Sequence, residues 1–312
     1  MTTFAPFIVL LSLFLIVFIM ILVPFIPGLR STFKRKPSDP LTIPMDKSTH
    51  PRFSSAELRK EFRGNKKNQD KASLHRGDLI FSKKQTATKP IYATGAAKIH
   101  SASSLDALAC DKNCSLGDFV KIASWIDVEK NLNIGNSCQL GESATCGKTM
   151  EISRGCQFKN LYAKPIITYS APVSKKQEAP HFDISEKNWF FGEKQMIIPA
   201  KVCVNEPLIS HKPLIIRQGA LVRKSIKCHG DLVIEADVVI QGDVFAEGSI
   251  HVGPRCQFTG NLFSQKKIFL EEEVCVGSET RQKSVIGVAG VLLKNDTTIY
   301  GYVKTKGKGL IQ

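Results

Sequence analysis

Seven histidines, nine cysteines and one glycine-bracketed lysine are the residues of this chain that could do chemistry. His50, His75, His100, His181, His211, His229 and His251 are scattered. A histidine acting as a general base needs a substrate cleft and an orienting partner. The sequence shows neither around His229 or His251, the two within the most regular stretch. Cys228-His229 has the residue types of a metal pair, but no second pair stands at usable spacing. Gly141-Glu-Ser-Ala-Thr-Cys-Gly147-Lys148-Thr149 has five residues between its glycines where a phosphate-binding loop has four. No HExxH, nucleophile elbow, CxxC pair or GxGxxG occurs. The chain is therefore expected to be no enzyme and to hold no cofactor and no metal.

The elements around these residues follow a six-residue beat. From Met196 to Val276 it sets inward pairs two apart: Met196/Ile198, Val202/Val204, Leu208/Ser210, and so on to Ile268/Leu270 and Val274/Val276. Of these twenty-eight positions twenty-six are apolar and two are serines; at the chain-wide apolar fraction of 43% about twelve would be. No helix has that period. Each pair is a short strand, and the interval to the next is a corner. Such a repeat predicts an all-β, three-sided solenoid of about 18 residues per turn. A second series, from Leu108/Cys110 to Cys156/Phe158, is apolar at all eighteen inward positions. Six inward cysteines there and at Cys228, with Cys256, read as small buried hydrophobes rather than as disulfide partners, which suits a reducing compartment.

The outward residues separate the two series. From Cys114 on, the first block turns Ser115, Lys121, Asp127, Asn133, Gln139, Thr145, Glu151 and Gln157 outward, which predicts a wetted exterior. The second turns mostly apolar residues outward. At three strands per turn, one face carries Ile197, Ile215, Val233, His251 and Phe269, and another carries Ile209, Lys227, Phe245 and Phe263. Either the chain packs against itself there or these residues form a contact surface. Ile197, Ile215, Val233, Phe245, Phe263 and Phe269, with Ile268, Leu270, Val274 and Val276 as an end contact, make up the expected assembly surface.

The balance of 43 Lys+Arg against 28 Asp+Glu, a net +15, implies attraction to anionic surfaces. Low aromatic content leaves no stacking platform for nucleic acid. Phe7–Phe25 is an uncharged run, apolar but for Ser12, long enough to span a bilayer and lacking a cleavage site. Arg30, Lys34, Arg35 and Lys36 follow it, so a single-pass inner-membrane protein is expected, with its N-terminus outside and its solenoid in the cytoplasm. The same four residues could bind anionic lipid. The expected organisation is a transmembrane helix (1–28), a basic linker (29–76), a first solenoid block (77–162), an excursion (163–195) and a second block (196–312) that ends in the basic tail Lys304–Lys308.

Residues 230–277 carry a recurring corner: Gly230-Asp231-Leu232, Gly242-Asp243-Val244, Gly248-Ser249-Ile250 and Gly260-Asn261-Leu262. There glycine would permit the turn, Asp or Asn would bond the turning backbone, and the aliphatic would start the next strand. This stretch resembles the bactofilins, bacterial polymer-forming cytoskeletal proteins. The resemblance implies a right-handed β-helix that joins end to end into filaments without nucleotide, often at the membrane. The chain departs from that pattern in its transmembrane run, its upstream block and its long interruption. Two other readings stand beside it. One is a hexapeptide-type acyltransferase, or an inactive relative, at the membrane; that class prefers a small residue at one inward position. The other is an adaptor that holds a partner on its apolar faces.

Overall fold

The computed structural model describes residues 72–169 and 195–312. The Phe7–Phe25 run and the Arg30, Lys34, Arg35 and Lys36 cluster lie outside the described residues. Among the described residues no helix is long and apolar enough to cross a membrane.

Among the described residues every regular element is a strand, and the strands wind into about 12 turns of β-solenoid, with about 18 residues per turn. From Met196 to Val276 each coil stacks on the last in constant register, Met196 pairing with Leu214, Leu214 with Leu232 and Leu232 with Ile250, all parallel. Three strands per coil give three sheets. Face A begins with Met196–Ile198, Leu214–Ile216 and Leu232–Ile234. Face C begins with Cys203–Val204 and Leu221–Val222, and face B with Leu208–Ser210 and Ile226–Cys228. The first block winds in the same way, Leu79 pairing with Ala97, Ala97 with Cys114 and Cys114 with Leu132.

Strand alternation explains the core. All eighteen inward positions expected in the first block are buried. In the second block all but Met196, Val202 and Val204 are buried, and those three sit in its first coil. Each buried Leu, Ile or Val contributes about 1.5–3 kcal/mol relative to exposure. The two inward serines are satisfied: Ser210 donates to the Lys212 carbonyl and Ser264 to the Gly248 carbonyl, both at 2.7 Å.

The corners work differently from expectation. Gly230, Gly242, Gly248 and Gly260 do not take positive φ; in each coil that conformation falls elsewhere, at residues such as Asp237, Arg255 and Glu273. Glycine is needed because the preceding coil crosses too close. A Cβ on Gly260 would lie 2.1 Å from the Gly242 carbonyl oxygen, and one on Gly248 2.5 Å from the Asp231 nitrogen. The Asp side chains do cap backbone, but one coil ahead: Asp231 accepts from the Ser249 N–H and Asp243 from the Asn261 N–H, each at 2.7 Å.

The two blocks meet tail to tail. The first block's last strand, Gln157–Thr168, pairs antiparallel with the second block's last strand, Thr298–Ile311. Gln157 lies opposite Leu310, Leu161 opposite Val303 and Ile167 opposite Thr298. Two rods thus become one, and the first coils of both blocks are its outer ends. Three expected boundaries move. Residues 163–168 continue the first block instead of opening the excursion, with a register shift between Ala163 and Ile166 around Pro165. Lys304, Lys306 and Lys308 belong to the closing strand rather than to a tail, with Val303 and Thr305 buried beside them. The solenoid starts at Ser73–His75, inside the stretch read as linker.

Candidate assembly surfaces

The rod offers two kinds of surface, its outward columns and its open ends. On face A, Ile197, Ile215, Val233, His251, Phe269, Leu292 and Leu310 stand in one unbroken ladder. His251 stacks on Phe269 with ring centroids 4.4 Å apart, and burial lowers its pKa. Across the junction the column turns polar at Gln157, Gln139 and Lys121. On face B the column is Ile209, Lys227, Phe245, Phe263, Ile286 and Lys304. Phe245 and Phe263 stack at 5.3 Å. The sequence periodicity thus placed Ile197, Ile215, Val233, Phe245, Phe263 and Phe269 correctly as outward residues. It missed Leu292 and Leu310, because the coil that follows is wider: Ile268 pairs with Val291, past the point where the regular step would land.

The expected end contact is corrected. Ile268, Leu270, Val274 and Val276 are fully buried and face the core. They also lie far from either end of the rod, since further coils and the tail-to-tail junction follow them. The wetted exterior of the first block is corrected in part. Asp127 and Thr145 point outward yet are only 1% exposed, and the Thr145 hydroxyl donates to the Asp127 carboxylate.

The true ends are the first coils. In a parallel ladder alternate residues turn their backbone groups to opposite neighbours. The Met196 N–H bonds to Pro213, and the Ile198 carbonyl accepts from Arg217. Ile197, between them, therefore aims its N–H and C=O off the end of the rod. Leu208 donates to Ser225 and Ser210 accepts from His229, so Ile209 does the same. At the other end Leu79 donates to Ala96 and Phe81 accepts from His100, which leaves Ile80 outermost. Among the described residues these end strands each pair with one neighbour only. Ile80 and Ile209 are 68% and 61% exposed.

His229 does have an orienting partner: its Nδ1 lies 2.8 Å from Glu247, and its ring stacks 4.8 Å from His211. The three residues form a corner column. An open groove of about 550 Å³ lies on the first block, its lining mixing apolar residues such as Leu79, Ile80 and Ala97 with Asp78, Lys98 and Glu151. Residues 141–149 hold the strand Ser143–Cys146 and no helix, so they build no phosphate cradle. Seven of the nine cysteines are buried; burial pushes the Cys256 thiol up to about 11.

No family model, curated protein or solved structure matches this chain.

Proposed function

We propose that this chain is a self-assembling scaffold of the bactofilin type, a β-solenoid that polymerises end to end at a membrane without nucleotide. One observation carries the reading: among the described residues, both ends of the rod are strand edges paired on one side only, each with an apolar residue outermost. An open edge of this kind is a template for strand addition. A joint between two such ends would pair first coil with first coil, so its strands would run antiparallel, as they do where the two blocks meet inside the molecule. An unclosed series of such joints is a filament.

The test is Ile197→Pro with Ile209→Pro. Each removes a donor from the open edge and leaves the bonds to the next coil in place. The full chain should form concentration-dependent polymers in sedimentation and by electron microscopy, with or without nucleotide. The double variant should keep its β-sheet circular dichroism and sediment as short species. A wild-type chain that stays monomeric would sink the reading. The acyltransferase alternative has one observation in its favour, the His229–Glu247 pair. It would be supported by a trimer whose acyl transfer is lost on His229→Ala.

A further inference from the structure

Lysines cluster at the waist of the rod. On the edge between faces A and C, much of the charge is paired. Arg217 binds Glu235 at 2.6 Å, Arg255 binds Asp237 at 2.7 Å and Lys294 binds Glu271 at 2.6 Å. On the edge between faces A and B, near the junction, it is not. Lys304, Lys306 and Lys308 alternate along the closing strand, and all three are exposed. Lys308 pairs with Gly290 and Gly290 with Lys267, which puts Lys267 two strands away, about 10 Å. The Ala289 N–H bonds to the Lys266 carbonyl and the Lys306 N–H to Val288, so Lys266 tops the same corner. None of these five lysines has an ion-pair partner among the described residues. The adjacent Lys159 is neutralised by Glu142.

The flanks of this lysine edge are apolar. Phe269, Leu292 and Leu310 stand beside it on face A, and Phe245, Phe263 and Ile286 on face B, all half-buried. Gly290 and Gly307 lie among these lysines and put no side chain between them. Unpaired lysines bordered by apolar side chains match the headgroup region of an anionic bilayer, where ammonium groups meet lipid phosphates and apolar groups meet the acyl boundary. A duplex nucleic acid would use the lysines and leave the two apolar flanks without a role.

We infer that the edge between faces A and B at the junction is a docking surface for an anionic membrane, so that the rod lies along the bilayer on its waist. The inference does not depend on end-to-end assembly, since the ends of the rod take no part in it.

The test is amine footprinting of the full chain reconstituted in vesicles. Lysine acetylation is read by mass spectrometry in phosphatidylcholine alone and in phosphatidylcholine with phosphatidylserine. Acetylation of Lys266, Lys267, Lys304, Lys306 and Lys308 should fall about tenfold in the anionic vesicles, while Lys98 and Lys130 on the first block are unchanged. Roughly 0.5 M salt should abolish the protection. In the triple variant Lys304→Glu, Lys306→Glu, Lys308→Glu, checked for fold by circular dichroism, Lys266 and Lys267 should label alike in both vesicle types. Equal labelling of the wild type in the two vesicles would overturn the inference. So would equal or stronger protection by duplex DNA added to phosphatidylcholine vesicles.

Discussion

Asp237 shows how a corner residue is held. It occupies a left-handed turn and accepts two bonds from Arg255, at 2.7 and 3.0 Å, with Gln218 donating a third at 2.9 Å. The Arg255 and Gln218 hydrogen bonds lower its pKa from 3.8 to about 2. Its folded value lies below its unfolded one, so the stability it adds is present above pH 3.8 and is lost as pH falls towards 2. Arg255→Gln should move the Asp237 carboxyl midpoint in an NMR titration back up. The melting-temperature gap between wild type and variant should close across that same window. Corner glycines give a second prediction. Gly260→Ala forces a methyl group into the Gly242 backbone and should cost about 3 kcal/mol in denaturant unfolding. Gly219→Ala meets only the Lys201 side chain at 3.5 Å and should cost about 1 kcal/mol, from its φ of 68°. The sequence pattern marked Gly260 as a corner glycine. It carried no sign of how closely the neighbouring coil approaches, which is what separates Gly260 from Gly219.

Single strands were the most legible elements. Inward and outward sets follow from alternation alone, and a constant step carries the register from coil to coil. What stayed hidden is where that step changes. The widened coil from Val276 to Val285 broke the beat and made the end of the closing strand, Lys304–Lys308, look like a tail. Outward burial was hidden as well, since Asp127 and Thr145 look wettable until their column is seen as a whole. The junction strands rest on a polar clasp that no periodicity announces. The Thr168 hydroxyl donates to the Lys294 carbonyl at 2.7 Å and accepts from the Thr297 N–H at 2.9 Å. Thr168 is fully buried. Thr168→Val keeps the shape and leaves both backbone groups with one bond fewer, so it should cost about 1–3 kcal/mol. Hydrogen exchange should quicken at the Thr297 amide and stay unchanged in the distant Leu214–Ile216 strand. Uniform quickening would mean that the clasp is not local.

At the scale of the molecule, joining two solenoids at their tails leaves one rod whose two fronts are open among the described residues. The candidate ends were misplaced in the sequence because the junction couples Gln157 with Leu310, and hexad counting carries no signal across such a separation. Removing residues 298–312 should therefore uncover both blocks at once. The truncated chain should aggregate and bind a hydrophobic dye, whereas loss of either front coil should shorten the rod without exposing its middle. The junction also sets an order of events during synthesis. The strand that covers the first block begins at Thr298, whereas the strand it covers begins at Gln157 and leaves the ribosome long before it. At roughly 5–20 residues per second, a ribosome takes about 7–28 s to cross that interval. For that time a nearly finished first block presents a bare edge, beside the same bare edges on neighbouring ribosomes. Slow stretches of message between the two strands would lengthen that wait. Chains from one polysome would then be at risk of closing on one another before they close on themselves.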